Sequence, residues 1–354
     1  MSIAAVQRPV RRELEQVQDL LRDAFRTSIP ILNQVGGHVL ATRGKKFRPA
    51  LLLLTARLRG PLRPPAVLSA AAIEMVHAAA LIHDDSVDRS VLRRGLPTVN
   101  GLWTDEMAII MGDYLFAHTM GLLVRHRLET TLEVLARVAA EMACGEALEF
   151  QYAYDLEVTE ERYEELARAK TGSLMGAATE IGAGPEEEPR ARGRGLERGP
   201  AGRARGGRPR RGARVQFREF GERLGVAFQI VDDLFDYLGD PEVTGKPVGC
   251  DLAEGKVTLP LIAALREASE ADRRRLRRLA LRKRRTAAQW FQLRALIEKC
   301  GGFAYARSRA EAFAQESRRL LEQALGPEPA RAAPATAAAR ALGRAVDYAV
   351  RRDH

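Results

Sequence analysis

Apolar residues recur at three- and four-residue steps along most of this chain of 354 residues, and this periodicity decides the fold class. The first example runs through Leu14, Val17 and Leu21, which would share one helix face. Longer apolar helices are predicted from about Ala66 to Leu92 and from about Thr104 onward. Alternating apolar and polar runs bounded by hairpin turns are not found. The pattern predicts an all-α protein in a single domain, residues 1–354.

The composition excludes several classes of protein. Hydrophobic residues make up 46% of the chain, which is enough for a sizeable core. Cys144, Cys250 and Cys300 lie too far apart for a disulfide framework or a cysteine zinc site. Uninterrupted apolar runs fall short of the roughly 18 residues of a membrane span, and no apolar signal core precedes the first charges. A soluble, cytoplasmic protein is expected.

The net charge of +10 suits a nucleic acid, an anionic membrane surface or a phosphorylated small molecule as partner. Residues 184–214 supply ten arginines against four glutamates and contain almost no large apolar residues. We interpret them as a disordered or aberrant insertion, either a tolerated surface loop or a local change of reading frame. RNA binding there is less favoured, because aromatic residues are missing. Residues 273–285 predict a helix with a charged outer face, and docking on anionic lipid is the second interpretation.

One carboxylate motif, DDxxD, occurs twice on predicted apolar helices. Its six aspartates are Asp84, Asp85, Asp88, Asp232, Asp233 and Asp236. Positions i and i+4 of a helix share a face, so the first and last aspartate of each motif form one acidic wall. A single motif could be a solvated helix face, but two on apolar helices need a positive partner. Oxygen ligands without histidine or cysteine favour a hard cation such as Mg²⁺.

Lysines stand in short motifs that suit contacts with phosphate. Five of the seven lysines lie in GKKF, KTG, GKP and GK segments, whereas nearly every other positive charge is an arginine. A compact ammonium on a flexible stem suits a point contact to phosphate. These lysines are Lys45, Lys46, Lys170, Lys246 and Lys256. With two metal-binding walls and an apolar bundle, they predict ionisation of a diphosphate ester.

These motifs resemble the trans-isoprenyl diphosphate synthase (polyprenyl synthetase) family, and its long-chain members in particular. The carrying segments are GKKFRP, EMVHAAALIHDDSVDRSVLRRGLPTVN, KTGSL, FGERLGVAFQIVDDLFDY and TGKPVGCDLAEGKVTLPLI. The resemblance spans about residues 44–265. It implies helices around a central cavity, usually in a homodimer. It also implies Mg²⁺-dependent, head-to-tail condensation of isopentenyl diphosphate with an allylic diphosphate, with released pyrophosphate as the base.

The resemblance also assigns roles to individual residues. Asp84, Asp88 and Asp232 would bind magnesium, three ions per site with substrate, supported by Asp85, Asp233 and Asp236. The allylic diphosphate would be held by Arg93, Lys170, Thr171, Gln229, Lys246 and Lys256. Isopentenyl diphosphate would be held by Lys45, Arg48, His77 and Arg94. Glu149 departs from the glutamine that the family often has.

Small residues before Asp84 predict a long product. Val76, Ala79 and Ala80 would line the shaft that receives the growing tail, and none is an aromatic plug. We expect a product longer than fifteen carbons, and peripheral membrane contact at its release. A shorter-chain, geranylgeranyl-type synthase is the close alternative. A terpene cyclase, a non-catalytic subunit of a heteromeric synthase and a nucleic-acid-binding protein are the others.

Overall fold

The computed structural model describes residues 2–42, 44–93, 95–184, 211–239, 248–326 and 333–352. Two predicted site residues, Arg94 and Lys246, lie outside these ranges. Most of the predicted insertion, residues 185–210, lies outside them too. Its last residues do not: a helix begins at Arg211, so residues 211–214 are helical and the predicted boundary at 214 is wrong.

The described ranges are almost entirely helical, as predicted. The helices, in chain order, are α1 Ile3–Gln7, α2 Arg11–Ala24, α3 Pro30–Ala41, α4 Phe47–Arg57, α5 Pro64–Val87, α6 Val99–Leu102, α7 Asp105–Arg125, α8 Glu129–Gln151, α9 Glu160–Ala167, α10 Ser173–Ala183, α11 Arg211–Leu238, α12 Cys250–Ala253, α13 Leu259–Glu267, α14 Glu270–Ala280, α15 Ala287–Lys299, α16 Gly302–Leu325 and α17 Ala333–Arg351. A 3₁₀ turn, Arg8–Val10, precedes α2, and a π-helical turn, Arg168–Gly172, joins α9 to α10. Two short strands, β1 Leu92–Arg93 and β2 Leu96–Pro97, form an antiparallel hairpin.

The long helix α11 is central to the bundle. It packs against α10 on one side and α16 on another, and α10 in turn packs against α4. Four consecutive leucines of α4, Leu51 to Leu54, are fully buried. An all-round apolar helix of this kind belongs in the interior, which places α4 and α10 between other helices. The arrangement confirms the predicted bundle.

Helix α5 ends earlier than the sequence predicts. The periodicity predicts an end near Leu92, but α5 stops at Val87 and Asp88 is its C-terminal cap. Arg89 then adopts a left-handed conformation with φ of 53°, and the chain folds back into the β1–β2 hairpin. Apolar residues continue through this segment, so the periodicity does not indicate where the helix ends. Gly95, which follows the predicted helix end, has φ of 74° in the turn of the hairpin.

Helices α5 and α7 are long and apolar enough to span a membrane by length and composition. A search for uninterrupted apolar runs does not find these helices, because polar residues interrupt the apolar sequence of both. The two helices pack against each other, and most of the apolar window of α5 lies inside the bundle. Core helices of globular proteins pass the same test, and α5 is such a helix.

Candidate active site

The first acidic wall forms the last turn of α5. The amide of Asp88 donates to the carbonyl of Asp84 at 2.8 Å, so both carboxylates share one side of the helix end. Asp85 points elsewhere: it is buried, and Arg93 Nε donates to its two carboxylate oxygens at 2.8 and 2.9 Å. The β1–β2 hairpin carries Arg93 back to this position. Asp84 and Asp88 are therefore the candidate ligands that α5 presents, and Asp85 fixes the hairpin beneath them.

Two lysines of different segments meet the first wall. Lys256 Nζ lies 2.7 Å from Asp88 Oδ2 and 2.8 Å from Glu254 Oε2. Lys170 Nζ lies 2.8 Å from Glu146 Oε2 and also contacts Glu149. Burial alone would lower the pKa of both ammonium groups, but the surrounding carboxylates outweigh it and raise each pKa above its ordinary value. Both lysines therefore stay positively charged beside the acidic wall.

Lys170 owes its position to the π-helical turn Arg168–Gly172. Such a turn adds one residue to the helical repeat and re-aims the side chains after it. Gly172 packs there directly on Gly225 of α11, where an added Cβ on Gly225 would lie 2.5 Å from Gly172 Cα. Only glycine allows this approach of the two backbones. The close packing brings the lysine of the π-helical turn beside the acidic residues of α8 and α5.

The second acidic wall lies in the last turns of α11. Asp233 is buried and accepts hydrogen bonds from Tyr163 Oη at 2.6 Å and Gln229 Nε2 at 2.7 Å. Gln229 in turn accepts one from Thr171 Oγ1 at 2.6 Å. Asp232, about 100° away around the helix, is half exposed. Thr171 and Gln229, assigned to the allylic diphosphate, are thus joined by hydrogen bonds to Asp233, which lies between the two aspartates of the second wall.

Asp236 connects the second wall to the first through a short loop. Its Oδ1 accepts from the Cys250 amide at 3.0 Å, and its carbonyl accepts from the Gly249 amide at 2.9 Å. The same loop ends at Lys256, whose ammonium binds Asp88 of the first wall. One segment, residues 248–256, therefore touches both acidic walls. This segment therefore links the two walls in the fold.

Arg352, the last described residue, contacts the second wall in a way that the sequence did not predict. Its guanidinium is buried and donates to Asp232 Oδ1 at 2.6 Å and to the Phe228 carbonyl at 2.8 Å. It also stacks over the Phe228 ring, 3.3 Å from the centroid. An arginine in an arginine-rich chain gives no signal for this role. Only the packing of α17 against α11 brings it to the second wall.

Two further acids of the site come from α8. Glu146 and Glu149 stand three positions apart and so lie on one helix face, where both reach Lys170. Lys256 lies 3.9 Å from Glu149 as well. Glu149 departs from the glutamine expected there, and its charge has a partner in these lysines. Its i, i+3 spacing from Glu146 is the one sequence signal that could have identified the pair.

The carboxylates of both walls suit a hard cation. Burial, followed by the charge of Glu146, raises the pKa of Asp84 to about 7. Burial and the neighbouring charge of Asp251 also raise the pKa of Asp233 and of Asp236. Asp236 Oδ2 is buried and has no hydrogen-bond partner in the described part of the chain. A desolvated, acid-rich set of oxygen donors with one unpartnered oxygen fits Mg²⁺, although no three of the described acidic, histidine or cysteine side chains already converge as a closed metal cage.

These pKa shifts predict how the metal-free protein responds to pH. A carboxyl whose pKa is higher in the folded than in the unfolded chain binds its proton more tightly in the folded state. Its contribution to stability is therefore largest at low pH. That contribution is lost as the pH rises from the unfolded pKa of 3.8 to the folded pKa of about 7. We expect the melting temperature without metal to be lower at pH 8 than at pH 6. We expect Mg²⁺ to recover part of the difference.

Calorimetry of the wild type and of Asp84→Asn checks this expectation. The amide keeps the shape of the side chain but does not titrate, so the variant should show a flatter pH dependence and a higher melting temperature at pH 8. A variant that is as pH-sensitive as the wild type would contradict the assignment of this instability to Asp84.

The residues assigned to isopentenyl diphosphate meet only in part. Arg48 of α4 and His77 of α5 lie together, with Nη1 and Nε2 3.0 Å apart. Lys45 is exposed, and its carbonyl accepts a hydrogen bond from Gln7 Nε2 at 2.6 Å. Lys46 caps α4 in a left-handed conformation, which directs the GKKF turn toward the helix start. Arg48 and His77 thus form one hydrogen-bonded pair between α4 and α5, in which the guanidinium donates to the imidazole.

The three chain-length residues do not share one environment. Ala80 stands one turn before Asp84 and is half-buried on the same face of α5. Ala79 is buried in the apolar cluster that includes Met111 and Leu115 of α7. Val76 is buried in the main core. Ala80 is therefore the residue of the three that directly precedes the metal-binding face.

The chain matches the sequence model of the family described as Polyprenyl synthetase at residues 29–192 and 204–297. The match is longer than the 44–265 span carried by the motifs, and its interruption, residues 193–203, is shorter than the predicted insertion. Most of the chain therefore follows the family pattern.

Relatives of known name agree with this match. A short chain isoprenyl diphosphate synthase of Methanothermobacter thermautotrophicus is 36% identical over 272 residues, 75% of this chain and 77% of that protein. An all-trans-nonaprenyl-diphosphate synthase (geranyl-diphosphate specific) of Rhodobacter capsulatus is 33% identical over 315 residues, 89% of this chain and 90% of that protein.

A solved structure shares the fold over the whole chain. The polyprenyl synthase of Caulobacter crescentus, in complex with calcium and isoprenyl diphosphate, superposes with a TM-score of 0.85 at 31% identity. The alignment covers 100% of this chain and 98% of that one. That complex contains a divalent cation and an isoprenyl diphosphate together.

Proposed function

The chain belongs to the polyprenyl synthetase family, and from this premise we propose that it is a trans-polyprenyl diphosphate synthase. It would condense isopentenyl diphosphate head to tail with an allylic diphosphate and form a product longer than fifteen carbons. The nonaprenyl synthase of Rhodobacter capsulatus supports the long product, because it aligns over most of both chains. The short-chain relative from Methanothermobacter thermautotrophicus keeps the geranylgeranyl-type alternative open.

One observation carries the proposal: residues 248–256 contact both acidic walls. Their start is bound by Asp236, and their end places Lys256 on Asp88. Carboxylates and ammonium groups thus surround one volume at the ends of α5 and α11. A diphosphate needs both, oxygen ligands for its metal ions and direct cationic contacts for its own oxygens.

Separate groups of side chains would bind the metal ions and each of the two substrates. Magnesium, three ions in our proposal, would be held by Asp84, Asp88 and Asp232 and would neutralise charge on the departing pyrophosphate. Lys170 and Lys256, which stay charged, would hold the allylic diphosphate while its C–O bond breaks. Arg48 and His77 would hold isopentenyl diphosphate, whose alkene forms the new C–C bond before a proton is lost.

The contacts of Lys170 and Lys256 explain how the site can accept its ligands. Without substrate, both ammonium groups are neutralised by Glu146, Glu149, Glu254 and Asp88. When a diphosphate binds with magnesium, its oxygens would replace carboxylate oxygens as partners of the two lysines, because the metal ions would bind the aspartates. The lysines therefore do not need to be buried as unpaired charges at any stage.

The experiment is incubation of the purified chain with Mg²⁺, labelled isopentenyl diphosphate and separate allylic primers. Chromatography of the dephosphorylated products measures activity and chain length together. Elongated prenyl alcohols support the proposal. A terpene cyclase would release a hydrocarbon without isopentenyl diphosphate, and a non-catalytic subunit would give no product until a second subunit is added. Either result contradicts it.

Ala80→Phe should shorten the product. Ala80 lies on the Asp84 face one turn below the metal ligands, where a phenyl ring would block the path of the growing tail. We expect chain growth to stop several isoprene units earlier, with little change in the rate of the first condensation. Ala78→Phe, on another half-buried face of α5, is the matched control. Unchanged product length in Ala80→Phe would contradict the position of the shaft.

We also propose a homodimer, supported by an apolar surface on α6 and α7. Leu102, Ile109 and Ile110 are each about half exposed, at 50, 50 and 52%. Exposed aliphatic side chains in such a group mark an interaction surface. Sedimentation should give twice the mass of one chain, and Ile110→Asp should shift it toward monomer. A wild type that sediments as a monomer at micromolar concentration would contradict the dimer.

A cytoplasmic location, peripheral membrane contact at product release and the absence of a nucleic-acid role stay predictions. Cys144, Cys250 and Cys300 are free thiols, which suits a reducing compartment. Cell fractionation tests the location.

A further inference from the structure

The nine positive charges of residues 273–285 divide into two groups. Three arginines serve the fold: Arg273 donates to the Leu265 carbonyl, Arg277 pairs with Glu157, and Arg285 donates to the Leu279 carbonyl. The other six side chains are exposed, and none forms an ion pair with a carboxylate of the described ranges. These six, named the basic surface, are Arg274, Arg275, Arg278, Arg282, Lys283 and Arg284.

The basic surface is one face rather than a scatter of charges. At 100° per residue, Arg274, Arg278 and Arg275 lie within about 100° of each other around α14. The opposite side of α14 is anchored in the core by Leu276 and Leu279. The three remaining cations follow directly in the turn between α14 and α15. Nearby acids are already used, since Asp272 pairs with Lys299 and Glu270 with Arg273.

Two large apolar side chains in the same stretch of the chain are exposed. Leu281, at the end of α14, is 52% exposed, and Phe291, in the second turn of α15, is 73% exposed. A large aromatic on the outside of a helix costs solubility and has no packing role here. Cations with exposed Leu and Phe in the same stretch of the chain are the composition of a segment that rests at a lipid–water interface.

The basic surface adjoins the rim of the active site. Lys283 Nζ lies 5.6 Å from the centre of the Tyr154 ring. Tyr154 donates from its amide to the Gly255 carbonyl at 2.8 Å and from its hydroxyl to the Ala253 carbonyl at 2.9 Å. Lys256, which follows Gly255 in the chain, is a proposed ligand of the allylic diphosphate. A membrane that contacts Lys283 would therefore lie close to the segment that holds the substrate.

We propose that the basic surface, with Leu281 and Phe291, docks the enzyme on anionic phospholipid bilayers. The choice of a bilayer rests on the proposed function, because a prenyl diphosphate of more than fifteen carbons partitions into membranes and must leave the site for one. Charge complementarity supplies the attraction, and the two apolar side chains enter the interface. Docking beside the rim keeps release of the product next to its destination.

Cosedimentation with vesicles tests the proposal without any substrate. Wild-type chain is mixed with phosphatidylglycerol–phosphatidylcholine vesicles and, separately, with pure phosphatidylcholine vesicles. We expect binding to the anionic vesicles alone. The triple variant R274Q/R275Q/R278Q removes three outward cations that form no ion pair within the described fold. It should bind about 10²-fold more weakly, from a loss of about fivefold per cation.

The matched control is R11Q/R12Q/R319Q, which removes three exposed arginines elsewhere and changes the net charge equally. It should bind as the wild type does. Phe291→Ser should weaken binding while the salt dependence stays unchanged, because it removes insertion but no charge. Equal loss in both triple variants would overturn the proposal, and so would absence of wild-type binding to anionic vesicles.

Two further arms distinguish lipid docking from nucleic-acid binding and from catalysis. A single-stranded RNA oligomer that binds more tightly than the vesicles and displaces them would overturn the proposal in favour of nucleic acid. Condensation in detergent should be the same in the wild type and R274Q/R275Q/R278Q. If the chain binds vesicles but forms no prenyl product, the proposed function fails while the docking surface stands.

Discussion

Asp84→Ala is expected to lower the rate of prenyl transfer by at least about 10³-fold, because a metal clamp contributes several kcal/mol to the transition state. Burial and the charge of Glu146 raise the pKa of Asp84 and so disfavour its ionised form, which a divalent ion would stabilise. Asp232→Ala should have a comparable effect from the second wall. Single-turnover assays at saturating Mg²⁺ measure both.

Loss of activity in Asp84→Ala should not come from unfolding. The buried, ionised carboxylate of Asp84 destabilises the metal-free fold at pH 8. Its removal should therefore raise the melting temperature at that pH. Asp19→Ala is the matched control, because Asp19 is exposed on α2 and pairs with Arg22, one turn along the same helix. It should retain wild-type activity. A rate within about threefold of wild type in Asp84→Ala would reject the metal assignment.

Lys256→Ala is expected to lower the rate by about 10²-fold, the effect of removing one strong charge-stabilising donor. The loss has two physical sources. The diphosphate loses a direct cationic contact, and Asp88 and Glu254 lose the ammonium that lies 2.7 and 2.8 Å from them. We also expect a higher Mg²⁺ concentration for half-maximal rate, since the unpaired carboxylates now repel one another.

Initial-rate kinetics with each substrate varied in turn distinguish a local role from general damage. The KM for the allylic diphosphate should rise, and the KM for isopentenyl diphosphate should change little, because Arg48 and His77 lie elsewhere. Lys299→Ala is the matched control: this lysine is 64% exposed and pairs with Asp272 in the first turn of α14. Equal increases in both KM values would contradict the assigned role.

Helical type and acidic motifs could be predicted from the sequence because both depend on local spacing. A repeat of three and four residues buries one helix face wherever the helix packs, and DDxxD places two carboxylates one turn apart in any helix. Asp84 and Asp88 accordingly lie at the end of α5 and Asp232 lies on α11, and the segment 248–256 contacts both helices. Gln229 and Thr171 also lie beside the second wall, near the position that the family resemblance implies.

Partners from distant parts of the chain could not be predicted in this way. Arg352 reaches Asp232 across 120 positions, and Tyr163 reaches Asp233 across 70. Neither contact has a local signal, since each depends on how whole helices pack. The early end of α5 could not be predicted for the same reason. Buried Asp85 is paired with Arg93, and Arg93 reaches it only because the chain turns back in a hairpin.

The sequence by itself determined that two acidic helix faces exist and that few lysines were available to serve them. Tertiary structure alone decided which charge meets which: that Lys256 joins the two walls, that Glu146 and Glu149 hold Lys170, and that six cations of residues 274–284 stay outside. The physical reason is distance. Spacing along a helix acts within one turn, whereas a charge pair or an exposed face depends on which helices come within a few ångströms of each other.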